Sequence, residues 1–600
     1  MKRASRILTL ILIVVFLFGI FAGCDLVGKN TARYRDAVAI NVGKQEIRVG
    51  KLLDTFNSYY NNYYYYIAYG QFTVDDVLNL AIKSLISQYM KVDAYTAVET
   101  NKQQPNYKGE YAKGEFLSEA QLNYCISFVT YLVFESFDES VLEKVEAKFE
   151  LNDEETEDTS RDFYEYDDLK GAATYSEYYL NQNFENEDLD EYLEKYYGGK
   201  ADALLDQSDL LKLYQASAEA KVAELNDRLD EDADKIEPDY YQDLQKSVFR
   251  QYETTVKNSY AIDFDEFIKR QIEDMIVSGI VNLYNYDVYK VIDTDPDVRK
   301  RLKENYEINS AAQAAEFEFG TKFDEFVTGL SSTDFIYNVP EESKEQYVFV
   351  KNILIPFSAE QTAKLNSLRA DLGTADSDQY IKYRNFQAGQ IVADDFNSEK
   401  NEDGEYTKLT KNPFVFEGGE VKINPECEEL SAYLADGNVT AMEGKTVDET
   451  LVELMKRFNT DTAQHSAVYS YVVRINAPEN YKHQWVDEFV KATEDAMEKG
   501  LGHYGIGVSN YGVHIVYVED YVKALGEPDF DKNYLDTSTV EYKLFKNYFE
   551  TQTTKLLSAK LEELQESYKD KISESKVFKT FLKENGLDYD LMARLFDDED

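Results

Sequence analysis

Ser509-Asn510-Tyr511-Gly512-Val513-His514-Ile515-Val516-Tyr517-Val518 is the stretch that decides the fold. A polar turn with a glycine runs into β-branched and aromatic residues around one histidine, which reads as a strand. Upstream, Trp485 to Lys499 reads as a helix ended by Gly500. Trp485 and Phe489 stand one turn apart on the same face of it. Val468 to Ile475 has strand character, and Val447, Leu451, Val452, Leu454 and Met455 give Thr446 to Phe458 the spacing of a helix. Tyr347 to Ile355 is dense in β-branched and aromatic residues and stops at Pro356, as a buried strand does. A helix is expected from about Ser358 to Leu372. Glycine and charged residues dominate from Gly373 to Lys422, with a hairpin expected around Gly418-Gly419.

The chain on either side of this α/β module reads as helix. Val38 to Ile47 alternates apolar and polar residues and bends at Gly43, a short strand and turn that feed a helix from near Val49 through Tyr59, Tyr60, Tyr63 and Tyr66. Thr73 can cap the next helix, whose first turn holds Asp75 and Asp76, and Val77, Leu78, Ala81, Ile82, Leu85, Ile86, Tyr89 and Met90 face a core. Leu117 to Lys148 stays helical, and the acidic run from Glu150 to Asp158 reads as a solvated linker. Helical, acidic segments fill about Tyr175 to Lys344, and a long charged helix is expected from Thr537 to Phe596. The predicted fold class is α+β, predominantly helical, with a helical body bracketing one α/β module.

Composition narrows the function. The 600 residues include 113 Asp plus Glu and 64 Lys plus Arg, a formal net charge of −49 that repels phosphates and excludes nucleic acid as a partner class. Three cysteines and four histidines leave no material for a disulfide framework or a cysteine-rich metal site, and no cofactor is called for. Cys125 and Cys427 read as buried small apolar residues. Lys2, Arg3 and Arg6 precede an apolar run from Ile7 to Phe21, short for a spanning helix and suited to a signal peptide. The run ends in Phe21-Ala22-Gly23-Cys24, which resembles the lipobox of bacterial lipoproteins, with Phe21 where leucine is usual. That resemblance implies lipidation at Cys24, cleavage just before it, and a chain tethered to the outer face of the bacterial cell membrane. An ordinary signal peptide or an uncleaved anchor is the alternative.

The order of strand, helix, helix, short β segment, helix, glycine and closing Gly-x-His-Ile-Val strand resembles the parvulin domain of peptidyl-prolyl isomerases. Its surroundings resemble the SurA/PrsA type of extracytoplasmic foldase, a helical chaperone body with a parvulin and a returning C-terminal helix. The implied organisation is a signal peptide at 1–23, a tether at 24–35, a SurA-like region at 36–345, a parvulin-like domain at 346–525 and C-terminal helices at 526–600. An insertion at about 373–444 interrupts the parvulin-like part. Ser509 and His514 fit the closing motif, and Trp485 and Phe489 fit the helix that grips the prolyl ring. Arg457 to Asp461 resembles the loop after the second helix. The chain departs from the family in two places: Asn352 stands where active members carry a first-strand histidine, and no acid or thiol is evident among Ser466 to Val473.

The resemblance implies unfolded or nascent secreted polypeptides, and their X-Pro segments, as partners. Prolyl isomerisation crosses a barrier of about 18–20 kcal/mol without nucleophile, metal or cofactor, so it needs an apolar grip and polar groups that favour the twisted amide. Trp485 and Phe489 are the expected substrate-binding pair; His514, Ser509 and Asn352 are the expected catalytic network. Asn352 can donate and accept as a neutral imidazole does, with different geometry. Two further readings stay open: a non-catalytic holdase that docks peptides on a degenerate parvulin, and a surface or solute-binding lipoprotein.

Overall fold

A computed structural model describes residues 31–103, 109–149, 151, 169, 171–229, 233–317, 321–330, 335–372, 377–393, 397–400, 406–461, 470–478, 480–532, 534–537 and 539–584. The protein is a mostly helical α+β chain, 61% helix and 11% strand, with small antiparallel sheets. It divides into two compact units, one built from residues up to 154, 169–296 and 548 onward, the other from 297–547. The expected leader, Cys24 and most of the acidic run from Glu150 lie outside the described residues. Among the described residues no helix is long and apolar enough to cross a membrane.

The first unit is organised by a three-stranded sheet in which Val38–Val42 sits between Gln45–Arg48 and Ile572–Glu574. The bend falls at Gly43, whose φ of +59° suits glycine. A β-carbon there would also come 2.1 Å from a carboxylate oxygen of Asp93. The Val49–Ala68 helix follows at once, and Val74–Thr96 starts at a capping box in which Thr73 and Asp76 satisfy each other's backbone N–H groups. Val77, Leu78, Ala81, Ile82, Leu85, Ile86, Tyr89 and Met90 are buried, as their spacing predicts. Their core continues into Glu119–Glu146, Pro238–Tyr260 and Phe264–Tyr289. The long helix expected from Thr537 to Phe596 is instead Val540–Tyr568, then the Ile572–Glu574 strand, then Lys576–Glu584. Ile572 and Phe578 have apolar positions to fill in this core, so the chain gives up helix for a strand partner at Val38–Val42.

The second unit carries a four-stranded antiparallel sheet, ordered Tyr471–Arg474, Tyr347–Pro356, Gly512–Tyr521, Tyr504–Val508. The sequence does not predict the last of these, because Gly505 and Gly507 dilute its strand pattern. Those glycines are what let it form there. A β-carbon on Gly505 would lie 2.0 Å from the carbonyl oxygen of Ala492, and one on Gly507 2.2 Å from that of Glu488, both in the Asp487–Met497 helix. That helix covers one face of the sheet with Val348, Val350, Val473, Val516, Val518, Phe489 and Ala492. Val447–Phe458, started by a capping box at Thr446 and Glu449, covers the other with Ile353, Ile355, Val513, Ile515, Leu451, Leu454 and Phe458. The buried ammonium of Lys351 on that face pairs with Asp448 and, at 3.0 Å, with Glu519.

The Ala359–Leu372 helix follows the Tyr347–Pro356 strand as the sequence predicts, and the 373–444 stretch after it holds the helix Asp378–Ala388 and the hairpin Phe414–Glu417/Glu420–Ile423. That hairpin turns at Gly418 and Gly419, both at positive φ, as the sequence predicts.

Candidate functional site

Residues 512–518 pair in register with 350–356, placing Asn352 opposite Val516 and His514 opposite Leu354. Directly paired residues share a face, and so do residues two apart, so Asn352 and His514 emerge side by side toward the Asp487–Met497 helix. Ser509 follows the neighbouring Tyr504–Val508 strand and opens the turn into Gly512–Tyr521. Its N–H donates to the Gly512 carbonyl at 2.9 Å, and its Oγ accepts the Tyr511 N–H at 3.1 Å. Gly512 is forced to be glycine: φ is +148° and a β-carbon would lie 2.2 Å from the Ile355 carbonyl oxygen.

This turn aims Ser509 at the histidine, with Oγ 2.8 Å from His514 Nε2. The Phe489 ring meets the imidazole edge to face at 5.5 Å between centroids, and Trp485 lies 5.5 Å from Phe489. The indole N–H donates to the Val472 carbonyl at 3.0 Å, which fixes the ring against the edge strand. All five residues singled out from the sequence for this site therefore come together. Ser509, Asn352, Phe489 and His514 are deeply buried, at 1%, 1%, 3% and 6% exposure, and Trp485 is half-buried. The lipidation position Cys24 lies outside the described residues.

Two further residues complete the cluster. Asp461 brings Oδ2 to 3.4 Å from Asn352 Nδ2 and accepts the Tyr471 hydroxyl at 2.8 Å. The Tyr471 ring meets Trp485 at 4.4 Å between centroids, tilted by 40°, and reaches Phe489 at 6.2 Å. The family's acid or thiol is expected among Ser466 to Val473, of which 466–469 lie outside the described residues and 470–473 hold neither. Asp461 arrives from another direction. The Asn459 side chain accepts the N–H groups of Leu354 at 2.9 Å and Asp461 at 3.0 Å, folding the end of the Val447–Phe458 helix back onto the central strand. The Thr460 N–H donates to the Leu354 carbonyl at 3.1 Å. The sequence signal that points to it is Asn459 at the helix end, a residue able to bridge two backbone donors.

Burial governs the charge state. Desolvation pushes the His514 imidazole down to about 4, against a smaller opposing pull from the Asp461 carboxylate. The ring is neutral at physiological pH and presents one donor and one acceptor. Burial, reinforced by Asp461, pushes the Tyr471 phenol up, so it stays protonated and donates. The site is thus a neutral hydrogen-bonding cluster beside an aromatic wall, with one carboxylate at its edge.

A Ser–His pair at 2.8 Å also invites a nucleophilic reading. That chemistry needs the hydroxyl open to substrate and the second imidazole nitrogen held by an orienting group. Ser509 is 1% exposed, and among the described residues His514 Nδ1 has no hydrogen-bond partner. The pair orients a ring and does not present a nucleophile.

No family model, no curated protein and no solved structure matches this chain.

Proposed function

We propose that the chain is a lipid-anchored extracytoplasmic folding factor, with a SurA-like helical body and a parvulin-like domain that binds X-Pro segments of unfolded or nascent secreted polypeptides. The observation that carries this reading is the convergence of Ser509, His514, Asn352, Phe489 and Trp485 on one face of a four-stranded antiparallel sheet. Isomerisation asks nothing more than an apolar surface for the ring and fixed hydrogen-bonding groups for an amide that loses its resonance. Trp485, Tyr471 and Phe489 supply the first, and the neutral His514–Ser509 pair with Asn352 and Asp461 supplies the second. The anchor is Cys24, placed by its lipobox, and the net charge of −49 keeps the carrier soluble and attracts basic clients.

A protease-coupled assay on proline peptides tests the catalytic part: the wild type is expected to exceed background, and His514→Ala to fall toward it. Metabolic labelling with a radioactive fatty acid tests the anchor, with label expected on the wild type and absent from Cys24→Ser.

The second reading is a non-catalytic holdase that docks peptides on the same unit. It is favoured by the burial of Phe489 and His514, at 3% and 6% exposure, together with Asn352 at the family's histidine position. Equal and slow isomerisation by wild type and His514→Ala, with equal suppression of client aggregation, selects this reading.

A further inference from the structure

Resting on the proposed reading of the site, we infer that the inserted segment braces the turn that carries Ser509, and that Arg384 and Tyr380 are positioning residues acting through Asn510 and Glu488. The Asp378–Ala388 helix, capped by Ser377, presents Tyr380 and Arg384 one turn apart. Both are buried, at 1% and 2% exposure. Tyr380 donates its hydroxyl to Asn510 Oδ1 at 2.7 Å, and Arg384 donates to the same oxygen at 3.3 Å. The other arm of the guanidinium meets Glu488 at 2.6 Å.

These two contacts fall where they control the site. Asn510 is the residue after Ser509, at the tip of the turn whose hydrogen bonds aim Oγ at His514. Glu488 is the residue before Phe489, on the helix that sets the Phe489 ring against the same imidazole. One buried cation therefore joins the two elements whose spacing defines the His514–Phe489 contact. Burying a guanidinium is costly unless its partners are fixed, so the arrangement holds only while turn and helix keep their separation. Arg384 suits the task because its planar fork reaches two partners in different directions, which a lysine ammonium cannot reproduce. The insertion that departs from the family's pattern thus acts as a strut on the site, not as a spacer.

The test is amide hydrogen exchange on the full chain, comparing wild type with R384Q, R384K and Tyr380→Phe. The informative amides are Ser509 and Tyr511, which donate to Gly512 and to Ser509 Oγ within the turn. In all three variants their exchange is expected to rise at least about tenfold while Ile515 and Val516 in the adjoining strand keep theirs. Tyr380→Phe removes one hydroxyl and no charge, so it decides the matter if the Arg384 variants unfold. Unchanged exchange at Ser509 and Tyr511, or an equal rise at every amide, overturns the brace. With a wild type that isomerises proline peptides, the variants are further expected to lose about tenfold in kcat at little change in KM. A wild type with no isomerase activity removes the catalytic reading and leaves the exchange result to stand or fall alone.

Discussion

Replacing His514 by Gln should change the pH dependence of stability in a predictable way. The imidazole is held down to about 4 in the folded chain from an ordinary 6.5, mainly because burial penalises its charged form. Between those values the unfolded chain binds a proton that the folded chain refuses. The stabilisation is therefore complete above pH 6.5 and is lost as the pH falls to about 4, below which both states are protonated. At about 1.4 kcal/mol for each pH unit, the loss amounts to about 3 kcal/mol. Trp485 is the single tryptophan of the chain and sits in the site, so its fluorescence reports unfolding of this unit. Urea titrations of the full chain at pH 7 and pH 4 should show the wild type's advantage over H514Q shrinking by about that amount. The Gln side chain keeps a polar end near Ser509 and cannot titrate. Parallel pH profiles for the two proteins would refute the claim that the histidine is buried in its neutral form.

Asp461→Asn removes the one charge that raises the His514 pKa, so the imidazole should titrate still lower, read from its ring proton shifts by NMR. Gly505→Ala and Gly507→Ala press a β-carbon onto the Ala492 and Glu488 carbonyls and should each cost about 2–3 kcal/mol or more in urea unfolding followed by Trp485 fluorescence. In Cys24→Ser, Cys125 and Cys427 are buried and their thiols pushed up to about 12, so a disulfide reagent at pH 8 should label neither in native protein and both in denaturant. Glu135 in the first unit is raised to about 7, chiefly by burial, so its penalty is absent below about pH 4.5 and grows as the pH rises through 7. Glu135→Gln should accordingly stabilise the chain by on the order of 2 kcal/mol at pH 8 and by little at pH 4.5, measured by urea unfolding followed by circular dichroism.

Local signals were readable where the physics is local. Thr73 with Asp76 and Thr446 with Glu449 announce helix starts because the partners of a capping box lie three residues apart. Pro356 ends a strand and Gly418-Gly419 turns a hairpin by backbone preference alone. What stayed hidden depends on distant partners. The strand at 504–508 is composed for close approach to Ala492, and its glycines look like a loop until that helix is placed. Asp461 belongs to the cluster because Asn459 ties its loop to Leu354, a contact across 105 residues. Arg384 reads as one more charge in a charged stretch, and its burial makes sense only once Asn510 and Glu488 stand beside it.

The choice between catalysis and docking turns on the aromatic wall. On the catalytic reading, a prolyl ring that reaches the imidazole past Phe489, which touches Trp485, Tyr471 and His514, parts the tilted Tyr471–Trp485 pair, whose centroids lie 4.4 Å apart. Such a ring pair is worth about 0.5–1.5 kcal/mol beyond its buried area, and Tyr471 would also give up its bond to Asp461. Opening the wall then lowers affinity by about tenfold. Tyr471→Ala removes half of this ring pair and leaves the His514–Ser509 hydrogen bond and the Phe489–His514 contact in place. If the wall is a gate, kcat/KM on proline peptides rises in this variant. If it is the docking surface itself, client binding falls and isomerisation stays at background, and the aromatic cluster serves adhesion and not turnover.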